Sequence, residues 1–132
     1  MPPPPLPAEL DALVGRANPA VVATVRPDGA PHTAATRYDW ENGRVLLNMD
    51  ESRARLRHMH ENPRVSVTIF DGDDWGCHVT LLGTVISIEP DTDLSDIDRL
   101  ARRYTGEPFG TRDLHRITAW MQPDLWSSWP LP

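Results

Sequence analysis

The chain has 132 residues, a length that suits one domain with a single core. Its net charge of −6, from 13 basic and 19 acidic residues, argues against nucleic acid as a partner, because that affinity depends on neutralising phosphates. A single cysteine, Cys77, excludes an internal disulfide, and no apolar run is long enough to span a membrane. The N terminus lacks the features of a signal peptide, so we expect a cytoplasmic protein without a membrane partner.

The first third of the chain predicts a helix followed by paired strands. Residues 1–7 are rich in proline and predict a disordered tail, ahead of one domain over residues 8–132. Apolar residues at helical spacing predict a short helix over residues 8–16. A buried-type strand is expected over residues 21–25, and its return strand over residues 31–40.

The middle of the chain predicts a helix between strands. A strand over residues 44–49 follows an Asn-Gly hairpin signal. Asp50 is placed to cap a helix over residues 51–61, which an Asn-Pro pair ends. Alternation predicts a half-buried strand over residues 65–69, and a long strand should cover residues 75–88.

The last third predicts one more helix and one more strand. Gly83, inside the long strand, is expected to mark a bend or bulge. Helical spacing predicts a helix over residues 94–104, and a final strand is expected over residues 112–121. Trp126 and Trp129 then fall in a polar tail. The pattern as a whole predicts a mainly β protein, with six strands in a closed antiparallel barrel.

The most informative segment lies at the start of the central helix. Arg53, Arg55 and Arg57 crowd into five residues of an acidic protein that has no lysine. If Leu56 and Met59 form the buried stripe, Arg53 and Arg55 flank it and Arg57 points outward. Two flanking guanidiniums could bind a phosphate together with free backbone N–H groups. The alternative is a solvent-exposed basic face of the helix, stabilised by side-chain ion pairs between residues four positions apart.

Other chemistry finds little support in the sequence. His58 and His60 are two apart, which places them on different sides of a helix, so we expect no metal site. Cys77 has only His78 as a local hint of reactivity, and a buried structural thiol is the preferred interpretation. Phosphate-binding glycine motifs of the Rossmann and Walker types do not occur in the chain.

Four segments together resemble the pyridoxamine 5′-phosphate oxidase-like split-barrel superfamily. Residues 23–32 are similar to its "A-T-x-x-x-D-G-x-P" opening, and residues 52–65 to its helix and "N-P-R-V" strand start. Residues 79–85 resemble its "V-x-x-x-G-x-V" strand. Residues 96–106 are similar to the members that depend on the deazaflavin coenzyme F-420. The resemblance covers about residues 8–129.

This resemblance implies a homodimer with two cofactor sites at the subunit interface. The family's phosphate-binding positions correspond to Asn48 and Met49 at a strand end and to Arg55 on the following helix, where the family has Lys. The position that contacts the flavin ring corresponds to His78, and a tryptophan that reaches the site corresponds to Trp129.

Two departures argue against pyridoxamine phosphate oxidation itself. The family's enzymes with that activity continue beyond the matching tryptophan into an Arg-His-rich segment, whereas this sequence stops at Pro132. The family's arginine on the second strand is replaced by Ala34.

We therefore expect an oxidoreductase that uses reduced coenzyme F-420, with FMN as the alternative cofactor. Arg53 and Arg55 would hold the phosphate, and strand edges would seat the ring, at residues 33–36, which include Thr33 and Thr36, and at Asn48 and Met49. The catalytic proton donor is left open, since a water or His78 could serve. A small conjugated organic substrate is implied by the family alone. A non-catalytic flavin-binding module is the rival interpretation.

Overall fold

The computed structural model describes residues 1–113 and 115–130. Three helices and seven strands occur among these residues. The helices are α1 (Ala8–Gly15), α2 (Ala54–Glu61) and α3 (Ser95–Thr105). The strands are β1 (Ala20–Val25), β2 (Pro31–Thr36), β3 (Asp39–Glu41), β4 (Arg44–Asp50), β5 (Arg64–Asp71), β6 (Asp74–Pro90) and β7 (Arg116–Trp129). All the strands lie in one antiparallel sheet of order β2-β1-β5-β6-β7-β4-β3.

The prediction of a mainly β, antiparallel fold is confirmed, but the strand count and the closure were wrong. The expected return strand over residues 31–40 is two strands, β2 and β3, interrupted at Tyr38. The Tyr38 side chain is fully buried. Its hydroxyl lies 2.6 Å from the carbonyl oxygen of Val14 and 3.0 Å from that of Arg16, and its one proton is donated toward these two acceptors. Turning this residue inward interrupts the ladder. The hydrogen-bonded sheet has two edges, β2 and β3, and therefore does not close among the described residues.

The start of α2 and the extent of β7 also differ from the prediction. Helix α2 begins at Ala54 instead of residue 51, because Asp50 caps a turn that precedes the helix. Strand β7 runs from Arg116 to Trp129 instead of over the expected residues 112–121. Pro123 lies opposite Gly83 where the β6–β7 register shifts, and a bulge tolerates a residue without an N–H group. Trp126 and Trp129 thus lie in a strand and not in a tail.

The core forms on one face of the sheet by simple alternation. Strands β1, β5 and β6 contribute every second residue to it, including Val22, Val67 and Leu81. Strand β4 is buried on both faces. Val45 and Leu47 belong to the main core, whereas Leu46 and Asn48 lie on the opposite face.

Helix α3 lies against the second face of β4. Thr118 of β7 donates to Asp96 (2.6 Å), and Arg99 pairs with Asp39 of β3 (2.7 Å). Burial of Ile97, Leu100 and Ala101 turns the apolar stripe of this helix toward the sheet. Gly106 ends the helix at a φ of +81°, a left-handed conformation that glycine adopts without strain.

The other face of β1, β5 and β6 carries few charges, and exposed Arg64 stands at its edge, at the start of β5. We call this surface the outer face, and its residues form rows across the strands. Nine of them are half-buried and uncharged: Val21, Ala23, Val25, Ser66, Thr68, Phe70, His78, Thr80 and Leu82. A groove of about 480 Å³ crosses it and continues to Leu125 of β7.

The proline-rich N terminus lies beside β7. The Trp126 backbone N–H donates to the carbonyl oxygen of Pro2 (3.0 Å), and its indole N–H donates to that of Pro3 (3.2 Å). Within the described residues, no helix is both long and apolar enough to cross a membrane.

Candidate cofactor site

The connection from β4 to α2 is built by one aspartate. Oδ1 of Asp50 accepts hydrogen bonds from the backbone N–H (2.7 Å) and the hydroxyl (2.6 Å) of Ser52. These two bonds lower the pKa of Asp50, so the carboxylate stays ionised near neutral pH. Arg53 follows at the N-cap position of α2 in an extended conformation, and its side chain makes no capping bond to the described residues. The turn therefore presents arginine side chains at a helix start that has no side-chain cap.

Three guanidiniums gather at this corner, which we call the basic corner: Arg53, Arg55 and Arg116. Arg55 is half-buried on α2, whereas Arg53 is exposed and lies just before the helix instead of on its flank. Arg116 is the first residue of β7 and pairs with Asp50 in the β4–β7 register. None of the three takes part in the ion pairs found among residues 1–113 and 115–130.

The electrostatics of the basic corner are those of an incompletely neutralised cationic site. Burial lowers the pKa of Arg55, and the neighbouring charges of Arg53 and Arg116 lower it further, while Asp50 opposes them. Burial also lowers the pKa of Arg116, with Asp50 raising it and Arg53 lowering it. Guanidiniums stay protonated in spite of such shifts. The corner therefore holds like charges, and a bound anion would reduce the repulsion between them.

Asn48 and Met49 lie next to the basic corner, but their side chains have other partners. Met49 is 1% exposed and packs in the core. Asn48 is buried, and its amide bonds to Asp91, Thr118 and Arg116. Their predicted contact with a cofactor stays a prediction, and only their backbone is available for it in this structure.

Thr33 and Thr36 lie on β2, at an edge of the sheet. They fall on opposite faces of the strand because they are three residues apart. Thr36 shares its face with His32, whose ring lies 5.1 Å from that of His58 on α2. The Thr36 hydroxyl donates to the Arg37 carbonyl oxygen (2.8 Å). The two threonines therefore cannot present their side chains to the same face of one ring.

His78 and Trp129 are brought together, far from the basic corner. They are cross-strand partners on β6 and β7, and Trp129 is 60% exposed. Nδ1 of His78 is buried with no hydrogen-bond partner in the described part of the chain. Along β7, the thirteen steps from Arg116 to Trp129 span roughly 40 Å of strand. One chain therefore places the predicted site residues at two separate ends.

Sequence reasoning missed Arg116 as a member of this site. No local motif surrounds it, and it lies 61 positions after Arg55 in the sequence. The signal that could have found it is the pairing of β4 with β7, which puts Arg116 opposite Asp50. Among the described residues, no group of three His, Cys, Asp or Glu side chains gathers in a metal-binding arrangement.

Comparison with known proteins agrees with this architecture. Residues 6–129 match the family described as pyridoxamine 5′-phosphate oxidase, and the chain belongs to that family. Its fold is that of flavin-type oxidoreductases.

Solved structures give more specific similarities. An F-420 reductase is 27% identical, with a TM-score of 0.84 over 92% of this chain and 98% of that one. A conserved hypothetical protein from Mycobacterium tuberculosis is 23% identical, with a TM-score of 0.76 over 96% of this chain and 86% of that one. An FAD-binding protein from Mesorhizobium loti is 18% identical, with a TM-score of 0.65 over 93% of this chain and 94% of that one. The last two similarities concern the fold alone.

Proposed function

We propose that this protein is an oxidoreductase that uses reduced coenzyme F-420 to reduce a small conjugated organic substrate. The observation that carries the proposal is the basic corner, where Arg53 and Arg55 stand beside a helix start without a side-chain cap. Neither forms an ion pair among the described residues. Such a site fits the phosphate of a flavin or deazaflavin cofactor. The similarity to an F-420 reductase over almost the whole chain favours the deazaflavin over FMN.

The residues of the chain have binding and positioning roles in this proposal. Arg55 and Arg53 hold the anionic group, and Asp50 fixes the turn that aims them. When bound, reduced coenzyme F-420 supplies the hydride. His78 offers a ring nitrogen without a partner in the described residues and is our candidate for holding a proton near the substrate.

We further propose that two copies of the chain form the working unit. His78 and Trp129 lie at the opposite end of β7 from the basic corner, so in this proposal a second copy supplies them. The outer face suits such pairing because its centre is uncharged and its one arginine, Arg64, lies at the edge, and interface cores are depleted in charged residues.

The binding step is tested by titrating the protein with coenzyme F-420 and with FMN while following tryptophan emission. We expect Arg55→Ala to weaken binding about tenfold or more, since a charge-assisted hydrogen bond contributes about 1.5–3 kcal/mol. Arg57→Ala is the matched control, because Arg57 lies on the same helix with an exposed side chain. The proposal fails if neither cofactor quenches emission at micromolar concentration, or if both variants bind like the wild type.

The redox step needs a separate assay. Reduced coenzyme F-420 is mixed with the protein and a small quinone, and the oxidised cofactor is followed by its absorbance. We expect protein-dependent oxidation that Arg55→Ala slows at limiting cofactor. Tight binding without oxidation by any of several conjugated acceptors would instead favour a non-catalytic flavin-binding module.

A further inference from the structure

Arg116 has a fixed position at the basic corner that the proposed function does not use. Its Nε donates a hydrogen bond to Oδ1 of Asn48 (2.9 Å), and its guanidinium carbon lies 5.0 Å from the centre of the Phe109 ring. Stacking on one side and a bond at Nε restrict the planar group to a narrow range of orientations. Both terminal nitrogens, Nη1 and Nη2, make no hydrogen bond to residues 1–113 or 115–130.

The orientation of the Asn48 amide is itself determined by its neighbours. Nδ2 donates to Oδ2 of Asp91 (3.1 Å) and to the Thr118 hydroxyl (3.1 Å), which in turn donates to Asp96 (2.6 Å). A rotated amide would turn an oxygen toward the Asp91 carboxylate. Oδ1 must therefore face Arg116.

Asp91 is held as firmly as Asn48. Its carboxylate accepts hydrogen bonds from the backbone N–H groups of Asp96 (3.1 Å) and Ile97 (2.9 Å) at the start of α3. The chain of contacts from α3 through Asp91 and Asn48 ends at Arg116. Arg116 borders an open cavity of about 380 Å³. The other charged or titratable residues that line the cavity are Glu51, Asp91, Arg112, Asp113 and His115.

The charge of Arg116 is only partly compensated in this arrangement. The half-buried guanidinium is held near the like charges of Arg53 and Arg55. The carboxylates of Asp50 and Asp91 act in the opposite sense, but neither lies within ion-pair distance of it among the described residues. A phosphate group has enough oxygens for several guanidiniums at once.

We propose that Arg116 is a third phosphate-binding residue of the basic corner, with Asn48 and Asp91 as its positioning residues. The inference rests on the proposed function for the identity of the ligand, but it concerns a residue that neither the motif nor the family resemblance assigned. It also gives Asn48 a role different from the direct cofactor contact expected from the sequence.

The test uses inorganic phosphate as the probe and NMR of the arginine Nε–H groups in the ¹⁵N-labelled full chain. We expect the Arg55 and Arg116 signals to shift together along one binding curve. Arg116→Gln should weaken phosphate binding about tenfold. The affinity of Arg116→Lys for phosphate should lie between those of the wild type and Arg116→Gln. Asn48→Ser should weaken binding and broaden the Arg116 signal, because its guanidinium loses the Nε acceptor.

Arg112→Gln is the matched control, because Arg112 lines the same cavity but is paired with Asp98 (2.6 Å). We expect phosphate affinity within twofold of the wild type for this variant. The inference is overturned if phosphate leaves the Arg116 signal unmoved, including the case of no phosphate binding, or if Arg116→Gln binds phosphate like Arg112→Gln. Phosphate binding at Arg116 without binding of coenzyme F-420 or FMN would contradict the proposed function alone.

Discussion

Among the single side chains, His58 ties the central helix to the sheet. It is buried on α2, and its Nδ1 lies 2.8 Å from the hydroxyl of buried Thr24 on β1. The His32 ring meets it edge-on from β2. Burial lowers the pKa of His58, and the nearby His32, Arg57 and Arg26 lower it further, with only Glu61 opposing.

The lowered pKa of His58 predicts a loss of stability in acid. Below the ordinary pKa of 6.5, the unfolded chain takes up a proton at this position more readily than the folded chain does. Stability should be unaffected by this group above that pH and should fall as pH drops from about 6.5 toward the folded-state pKa.

Urea unfolding at about pH 7.5 and about pH 5.5 measures this effect. The wild type should lose more unfolding free energy on acidification than His58→Gln, which cannot titrate. His60→Gln, which changes the exposed histidine of the same helix, should behave like the wild type. An equal acid loss in wild type and His58→Gln would refute the assignment to His58.

Residues of the site differ in how far the sequence could predict them. Helical spacing indicates that Arg53 and Arg55 flank a buried stripe. The structure places Arg55 on the helix, whereas Arg53 precedes it at the N-cap position in an extended conformation. Arg116 and the positioning roles of Asn48 and Asp91 depend on three distant segments meeting, so no local pattern carries them.

Among the elements, the long β6–β7 hairpin is shaped at Gly83. The predicted irregularity there is confirmed, because the register shifts between Leu82 and Gly83. A Cβ at this position would collide with the backbone carbonyl of Gln122, which cannot move without breaking the ladder. Pro123 of β7 lies opposite Gly83 at this irregularity.

Replacing Gly83 with alanine should therefore destabilise the fold by about 3 kcal/mol. Gly15→Ala is the control, since nothing lies within 4 Å of a Cβ at the end of α1 and its effect should stay within about 1 kcal/mol. Thermal or urea unfolding compares the two. If Gly83→Ala were as stable as Gly15→Ala, β7 would be able to move away from the added methyl group. The close approach of Gly83 to Gln122 would then not constrain the fold.

Elements with a strong local pattern were predictable, and those decided by tertiary contacts were not. Strands β5 and β6 follow from alternation and α3 from helical spacing. The late start of α2 depends on which N–H groups Asp50 caps, and the long β7 depends on a bulge that accommodates proline. Neither feature can be predicted from the order of apolar and polar residues along the chain.

For the whole molecule, the question is what covers the outer face. Rows of uncharged side chains cross β1, β5 and β6, with Arg64 at the edge of this face and exposed Trp129 at the end of one row. Self-association would bury this surface and would bring His78 and Trp129 of one copy toward the basic corner of the other. The family resemblance predicted such a homodimer, and it stays a prediction.

A charge placed on the outer face should separate the copies. Light scattering should give the wild type twice the chain mass of 14.8 kDa, and Leu82→Glu should give the mass of one chain. Ala12→Glu, on the exposed side of α1, should remain dimeric. A wild type that stays monomeric at micromolar concentration would remove the proposed pairing and, with it, the shared cofactor site.

The central claim is that the basic corner holds the anionic end of a redox cofactor, and a crystal structure of the protein with bound coenzyme F-420 tests it most directly. We predict the cofactor phosphate within about 3 Å of the guanidinium nitrogens of Arg55 and Arg116. A cofactor bound elsewhere, or a phosphate facing solvent with these side chains turned away, would contradict the claim.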